Sequence, residues 1–119
     1  MGARQRVSIP DNRELLSWCA AIFEGEGTAG LNNYGSPILT ISMQDADVIQ
    51  HWARAFGLRM AVGHPTTKGT PMWRVGIGSV EGYLAIMAAL WPWLFSRRRQ
   101  QLAGFWLQHL RYVEERNAA

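Results

Sequence analysis

The stretch "GEGTAG", Gly25–Gly30, decides between two folds, because its letters fit G-x-G-x-x-G, the pattern of a dinucleotide-binding loop. Such a loop leaves a strand and enters a helix, whose N-terminus holds the phosphates. Here the helical pattern of residues 10–25 comes first and a strand pattern follows. A helix C-terminus carries partial negative charge and Glu26 adds more, so both disfavour phosphate. The stretch therefore predicts a passage from helix to strand and excludes a doubly wound parallel sheet.

The patterns on both sides of this stretch predict an α+β fold. Apolar and polar residues alternate in residues 36–44, as in a strand with one buried and one polar face. The other predicted strands are residues 28–35, 58–64 and 71–78, and the predicted helices are residues 10–25, 45–57, 79–95 and 96–116. The order α-β-β-α-β-β-α-α predicts a four-stranded antiparallel sheet with its helices packed on one face. We expect one domain over residues 1–119, with the other sheet face polar and uncovered.

The limits of the first helix have their own signals. Asp11 and Glu14 fit a capping box at its start, and Gly25 is predicted to end it. Gly35-Ser36-Pro37 is the predicted turn between the first two strands. Residues of the second strand divide into Leu39, Ile41 and Met43 on the core side and Thr40, Ser42 and Gln44 on the polar side.

Composition narrows the classes of protein. With 119 residues, 48% of them hydrophobic, the chain suits an ordered domain with a modest core. The longest apolar run is interrupted by Pro92 and is short for a bilayer span, and no secretion signal is apparent, so we expect an intracellular protein without a membrane partner. The one cysteine, Cys19, excludes an intramolecular disulfide.

The basic residues indicate a class of partner. The net charge is +3, and eleven of the twelve Lys and Arg residues are Arg. Arginine forms forked contacts with phosphate and with guanine edges. A polyanion partner and a protein that is merely basic are both compatible with this composition.

Two carboxylates at the foot of the first helix indicate a cation site. Glu24 and Glu26 are separated by one glycine, and hard oxygen ligands at a negative helix end favour Mg²⁺. The alternative is a glycine-rich helix end with two solvated acids.

Three motifs in order resemble those of the LAGLIDADG homing endonucleases. In "WCAAIFEGEG", residues 18–27, Glu24-Gly25-Glu26-Gly27 stand for the Asp-Ala-Asp-Gly of the family signature. "ISMQDADVIQHW", residues 41–52, is similar to the family's passage in which a Gln precedes the second helix. In "LWPWLFSRRRQQ", residues 90–101, a Pro is followed five residues later by a basic residue, Arg97. Cys19, Ala21, the two Glu residues and Arg97 depart from the commonest letters.

The resemblance implies a metal-dependent, sequence-specific double-stranded DNA endonuclease. Because one motif is present, it implies a homodimer on a pseudo-palindromic site, with the motif helices crossing at a two-fold axis. The implied interface residues are Ser17, Trp18, Ala20, Ala21 and Glu24. Glu26 is the implied metal ligand, with Mg²⁺ as the cofactor and Mn²⁺ as its substitute, and the implied catalytic residues are Glu26, Gln44 and Arg97.

The resemblance also places the open sheet face in the DNA major groove, where base edges are distinguishable. The implied base-contacting residues are Asn32, Tyr34, Thr40, Ser42, Arg59, His64, Lys68 and Arg74. Arg98 and Arg99 are expected to contact phosphate, which positions the protein without specifying sequence.

Three other functions stay open at this stage. The same scaffold serves a DNA-binding regulator that does not cleave, or an RNA maturase, and an unrelated small α+β enzyme or interaction domain is the last alternative. A Mg²⁺ requirement that is lost in Glu26→Gln distinguishes the endonuclease, and salt-sensitive duplex binding that ignores metal distinguishes the regulator.

Overall fold

The computed structural model describes residues 6–118, and along them the predicted order of helices and strands is confirmed. The elements are α1 (Arg13–Glu26), β1 (Gly27–Leu31), β2 (Pro37–Met43), α2 (Ala46–Ala55), β3 (Ala61–Val62), β4 (Trp73–Ile77), α3 (Val80–Leu90), a 3₁₀ turn (Trp91–Trp93) and α4 (Ser96–Ala118). The predicted domain also includes residues 1–5 and 119, which lie outside the described residues. Among those described, no helix is long and apolar enough to cross a bilayer.

The four strands form one antiparallel sheet in the order β1-β2-β4-β3. The register pairs Gly27 of β1 with Ile41 of β2, and Ile41 in turn with Val75 of β4. β1 and β2 therefore run in opposite directions, so the start of β1 and the end of β2 lie at the same end of the sheet. We call this end, where α1 passes into β1, the α1 end.

The predicted division of β2 into two faces is confirmed. Leu39 and Ile41 are buried with Val75 and Ile77 of β4, and Thr40 and Ser42 face the other side. The buried side carries the helices: α1, α2, α3 and α4 all contact strands of the sheet. Side-chain alternation with a period of two produces this separation of a core face from a polar face.

Two aromatic side chains join the helices across the core. The Trp52 indole Nε1 donates a hydrogen bond of 2.9 Å to the carbonyl of Cys19, which connects α2 to α1. The Tyr83 hydroxyl donates one of 2.6 Å to the carbonyl of Leu102, which connects α3 to α4. Both rings are fully buried, so each supplies a large apolar area and satisfies its polar atom at the same time.

The limits of α1 differ from the prediction at both ends. The cap is Asn12, whose side chain accepts the N–H of Leu15 at 3.0 Å, and the expectation of Asp11 was wrong. The helix also continues through Gly25 to Glu26. Glycine weakens a helix without ending it, and the helix ends where Gly27 takes an extended conformation.

The first hairpin turn and the third strand also differ. Asn32–Ser36 form the turn, with Gly35 at φ +75°, and Pro37 already belongs to β2. The predicted strand over residues 58–64 shrinks to Ala61 and Val62 at the sheet edge. Leu58 instead packs into the core, because it follows directly from the end of α2.

Burial changes the acidity of two core groups. Cys19 is fully buried, which raises the pKa of its thiol from 9.0 to about 12. Burial also raises the pKa of the Tyr83 hydroxyl. In both cases the interior disfavours the charged form.

We expect the free energy of unfolding to fall as the pH rises above about 9. The Cys19 thiol ionises near pH 9.0 in the unfolded chain but stays protonated up to about pH 12 in the fold. Between these values unfolding releases a proton, so stability that is complete below the unfolded pKa is progressively lost. Denaturant titrations at about pH 8 and about pH 11 measure the loss. Cys19→Ala, which has no thiol, should lose less, and an equal loss in the two proteins would contradict this cause.

Candidate nucleic-acid interface and metal centre

Glu26 is the last residue of α1, and its side chain is exposed. The helix ends there because Gly27 is extended (φ −79°, ψ 152°) while its N–H still donates to the carbonyl of Phe23. Within residues 6–118, no hydrogen bond or ion pair engages the Glu26 carboxylate. The carboxylate is therefore available to a hard cation at the negative end of a helix.

Gln44 and Arg97 lie at the same end of the sheet as Glu26. Gln44 directly follows β2, which continues past Ile41, the partner of Gly27, and ends at Met43 at the α1 end. Arg97 is the second residue of α4, and its neighbour Arg98 contacts the carbonyl of Gly27. All three side chains are exposed. The structure thus brings the three predicted catalytic residues to the α1 end.

Carboxylates and histidines are not clustered among residues 6–118. Across the described residues, no three His, Cys, Asp or Glu side chains come together in a group that would hold a metal. Glu24, the second predicted acid, has its carboxylate engaged: Oε1 accepts the N–H of Phe95 at 2.7 Å. Glu24 therefore joins α1 to the segment before α4 within one chain, and its predicted role in a dimer interface stays a prediction.

Arg98 does not lie on the surface, and the expectation that it contacts phosphate was wrong. Its side chain is only 8% exposed. Nη2 donates to the carbonyls of Glu24 at 3.0 Å and Gly27 at 2.7 Å, and Nη1 donates to Oε1 of Gln101 at 2.8 Å. Carbonyls at the end of a helix lack partners within the helix, and the guanidinium satisfies them.

Arg99 is half-buried and also bonds within the chain. Its Nε donates to the carbonyl of Trp91 at 3.0 Å and its Nη2 to that of Pro92 at 3.3 Å. The guanidinium lies 5.4 Å from the centroid of the Trp91 ring. Arg99 thus caps the end of α3 and the 3₁₀ turn, which leaves Arg97 as the exposed member of the three consecutive arginines.

Of the five residues predicted for a dimer interface, one lies in the core and the other four are half-buried or exposed. Ala20 is fully buried, so its expected place on an outer helix face was wrong; it lies between Cys19 and Phe23, which face the core. Ser17 and Trp18 are half-buried, and the Trp18 ring meets His51 of α2 edge-on at 4.8 Å. Ala21 is exposed.

The sheet face turned away from the helices, which we call the open face, carries small polar residues and one arginine. Thr40 lies between Thr28 and Gly76 in the register, and Ser42 pairs with Arg74. Arg74 is exposed and is the cation that projects from this face. Thr28 was not among the predicted contact residues, although the alternation of side chains after Gly27 places it on the open face.

The remaining predicted contact residues lie in loops at opposite ends of the sheet. Tyr34 is 76% exposed in the β1–β2 turn, away from the α1 end. The side-chain oxygen of Asn32 accepts the N–H groups of Tyr34 and Ser36, so this oxygen is engaged in shaping the turn. His64 and Lys68 are exposed in the loop between β3 and β4, which lies at the α1 end. Arg59 is exposed just before β3.

Comparison of the chain with protein-family models, with curated proteins and with solved structures gives no match. The interpretation of the site therefore rests on the geometry of these residues.

Proposed function

We propose that the chain is a sequence-specific, Mg²⁺-dependent double-stranded DNA endonuclease with a LAGLIDADG-like fold. One observation carries the proposal: exposed Glu26, Gln44 and Arg97 all lie at the α1 end of the sheet, where the open face ends. A nuclease of this design needs a cation ligand beside a surface for bases, and an exposed carboxylate next to a polar sheet face supports that assignment.

The open face has properties suited to a DNA groove. Its small side chains at Thr28, Thr40, Ser42 and Gly76 let a duplex approach the strands closely, and Arg74 supplies a forked donor. The major groove is about 12 Å wide and admits a two-stranded ribbon such as β2 with a neighbour. Lys68 and His64, exposed in the loop at the α1 end, would contribute further base contacts near the centre of the site.

A homodimer would supply the second carboxylate that a single chain lacks at the end of α1. Each chain brings one open carboxylate, Glu26, to the end of its α1, and a two-fold axis there would place two such groups together. Ala21, which is exposed on α1, lets a second helix approach closely. The homodimer predicts a pseudo-palindromic target, since both half-sites meet the same surface.

The chain's own residues have distinct roles in this reaction. Glu26 would hold Mg²⁺, and a metal there would supply charge stabilisation for phosphodiester hydrolysis. The Gln44 amide orients a water molecule by hydrogen bonds. The Arg97 guanidinium is always charged near neutral pH, so it stabilises negative charge on the phosphate and transfers no proton.

The proposal is tested by selecting cleaved sites. Purified protein with Mg²⁺ is incubated with a plasmid library of pseudo-palindromic inserts, and linear molecules are recovered and sequenced. We expect one related group of inserts. If the protein retards duplex DNA in a gel but does not cleave it with Mg²⁺ or Mn²⁺, the endonuclease proposal is wrong and a DNA-binding regulator is the remaining function. Preferential binding of structured RNA would point to a maturase.

Arg74→Ala should weaken binding to the selected duplex by about ten-fold or more, because a forked arginine–base contact contributes about 1–3 kcal/mol. The exposed Arg111 of α4 lies on the helix layer, so Arg111→Ala removes the same charge away from the open face. Titrations at one salt concentration compare the two variants. Equal losses would show that net charge, and not the open face, governs binding.

A further inference from the structure

One buried arginine joins the beginning of α4 to the end of α1. Arg98 donates from Nη2 to the carbonyls of Glu24 and Gly27, and from Nε to that of Glu24 at 3.4 Å. Gln101 holds the opposite side of the guanidinium through its Oε1 at 2.8 Å, and the Phe23 ring centroid lies 5.2 Å away. We call this set of contacts the Arg98 clamp.

The clamp spans Glu26 along the chain. The two carbonyls that it binds belong to residues before and after Glu26, so the guanidinium holds both sides of the passage from helix to strand. Glu26 itself makes no contact that would hold it, since its carboxylate has no partner among the described residues. Its direction therefore depends on the backbone that the clamp holds.

A forked donor is required for this geometry. The planar guanidinium reaches two carbonyls and a side-chain amide at once, whereas an ammonium is a single point on a flexible stem. Because the Arg98 side chain is only 8% exposed, water has little access to these acceptors. A lysine at this position would therefore leave at least one of them without a hydrogen-bond partner. The helix end would then open more often.

We propose that Arg98 is a positioning residue that holds the Glu26 carboxylate in the orientation in which it binds a divalent cation. This inference rests on the proposed function, which assigns the cation to Glu26. Supporting groups behind a metal ligand typically change metal affinity by about 10- to 100-fold when altered, and we expect Arg98→Lys to fall in that range.

Arg99→Lys provides the matched control. Arg99 is the next residue of the same helix and also donates to two backbone carbonyls, but these belong to Trp91 and Pro92. Amide hydrogen exchange should become about ten-fold faster at Glu26 and Gly27 in Arg98→Lys and stay unchanged there in Arg99→Lys. Equal exchange at these amides in the two variants would overturn the positioning role, whatever the function of the protein.

The second measurement is binding of Mn²⁺ to the protein without DNA, followed by electron paramagnetic resonance. The part of binding that Glu26→Gln removes should weaken about ten-fold or more in Arg98→Lys and stay unchanged in Arg99→Lys. If the unaltered protein binds Mn²⁺ through Glu26 and the two lysine variants match it, the inference fails while the proposed function stands. If no Glu26-dependent binding exists, the proposed function fails, and the exchange result still reports on the clamp.

Gln101→Met keeps the comparison testable if Arg98→Lys does not fold. It removes one partner of the guanidinium, at Nη1, and leaves both backbone carbonyls bound. We expect the same changes at Glu26 and Gly27 with smaller amplitude, about three-fold in exchange. No change in exchange or in Glu26-dependent Mn²⁺ binding would contradict the clamp.

Discussion

For the proposed endonuclease, we expect Glu26→Gln to reduce Mg²⁺-dependent DNA cleavage on the order of a thousand-fold while leaving duplex binding nearly unchanged. The amide has the shape of the carboxylate but no charge, so it cannot balance a divalent cation. Because the side chain is exposed and has no partner among the described residues, its replacement should alter the free energy of unfolding by less than about 0.5 kcal/mol. Single-turnover cleavage of a plasmid that carries the selected site measures the loss, and retardation without metal measures binding.

Glu24→Gln is the control for this prediction. It makes the same chemical change two residues earlier, where the carboxylate accepts the N–H of Phe95, and an amide oxygen can still accept that bond. We therefore expect cleavage within several-fold of the unaltered protein. Cleavage by Glu26→Gln at the unaltered rate would contradict the assignment of the metal to Glu26. A larger loss of cleavage in Glu24→Gln than in Glu26→Gln would assign the metal to Glu24 instead.

Local sequence patterns were sufficient to predict those strands in which buried and exposed side chains alternate regularly. β2 and β4 were predictable because their alternating residues separate cleanly into a core face and an open face. β3 was not, because Leu58 and Met60 pack against the core before the strand begins and only Ala61 and Val62 pair with β4. A partner strand that is distant in the sequence decides where such an edge strand starts.

The arrangement of the candidate site was predictable as far as its residues share one end of the sheet. Glu26 and Gln44 follow from the order of elements, because adjacent antiparallel strands bring the start of β1 and the end of β2 together. Three consecutive arginines gave no sign of different roles. Arg98 turns inward because α4 begins against the carbonyls of Glu24 in α1 and Gly27 at the start of β1. No local pattern reports this contact across more than seventy residues.

Gly27→Ala should destabilise the fold by about 3 kcal/mol, which lowers the melting temperature on the order of 10 °C. The backbone conformation is open to any residue, so the obstacle is space: an added Cβ would lie 2.5 Å from Cε2 and 2.6 Å from the carbonyl oxygen of Phe23. Phe23 cannot easily move away, since it is fully buried and packs beneath the Arg98 guanidinium. Overpacking against a backbone atom and a confined ring forces the helix end to shift.

Gly25→Ala separates this steric cause from a general effect of glycine. Gly25 lies inside α1, and a Cβ there would meet nothing within 4 Å. Alanine is the better helix former by about 0.5–1 kcal/mol, so this variant should be more stable than the unaltered protein. Denaturant unfolding of both variants gives opposite signs if the close contact of Gly27 with Phe23 decides the outcome. Destabilisation of similar size at both positions would instead show that the passage from α1 to β1 needs a flexible backbone, and the steric explanation would be wrong.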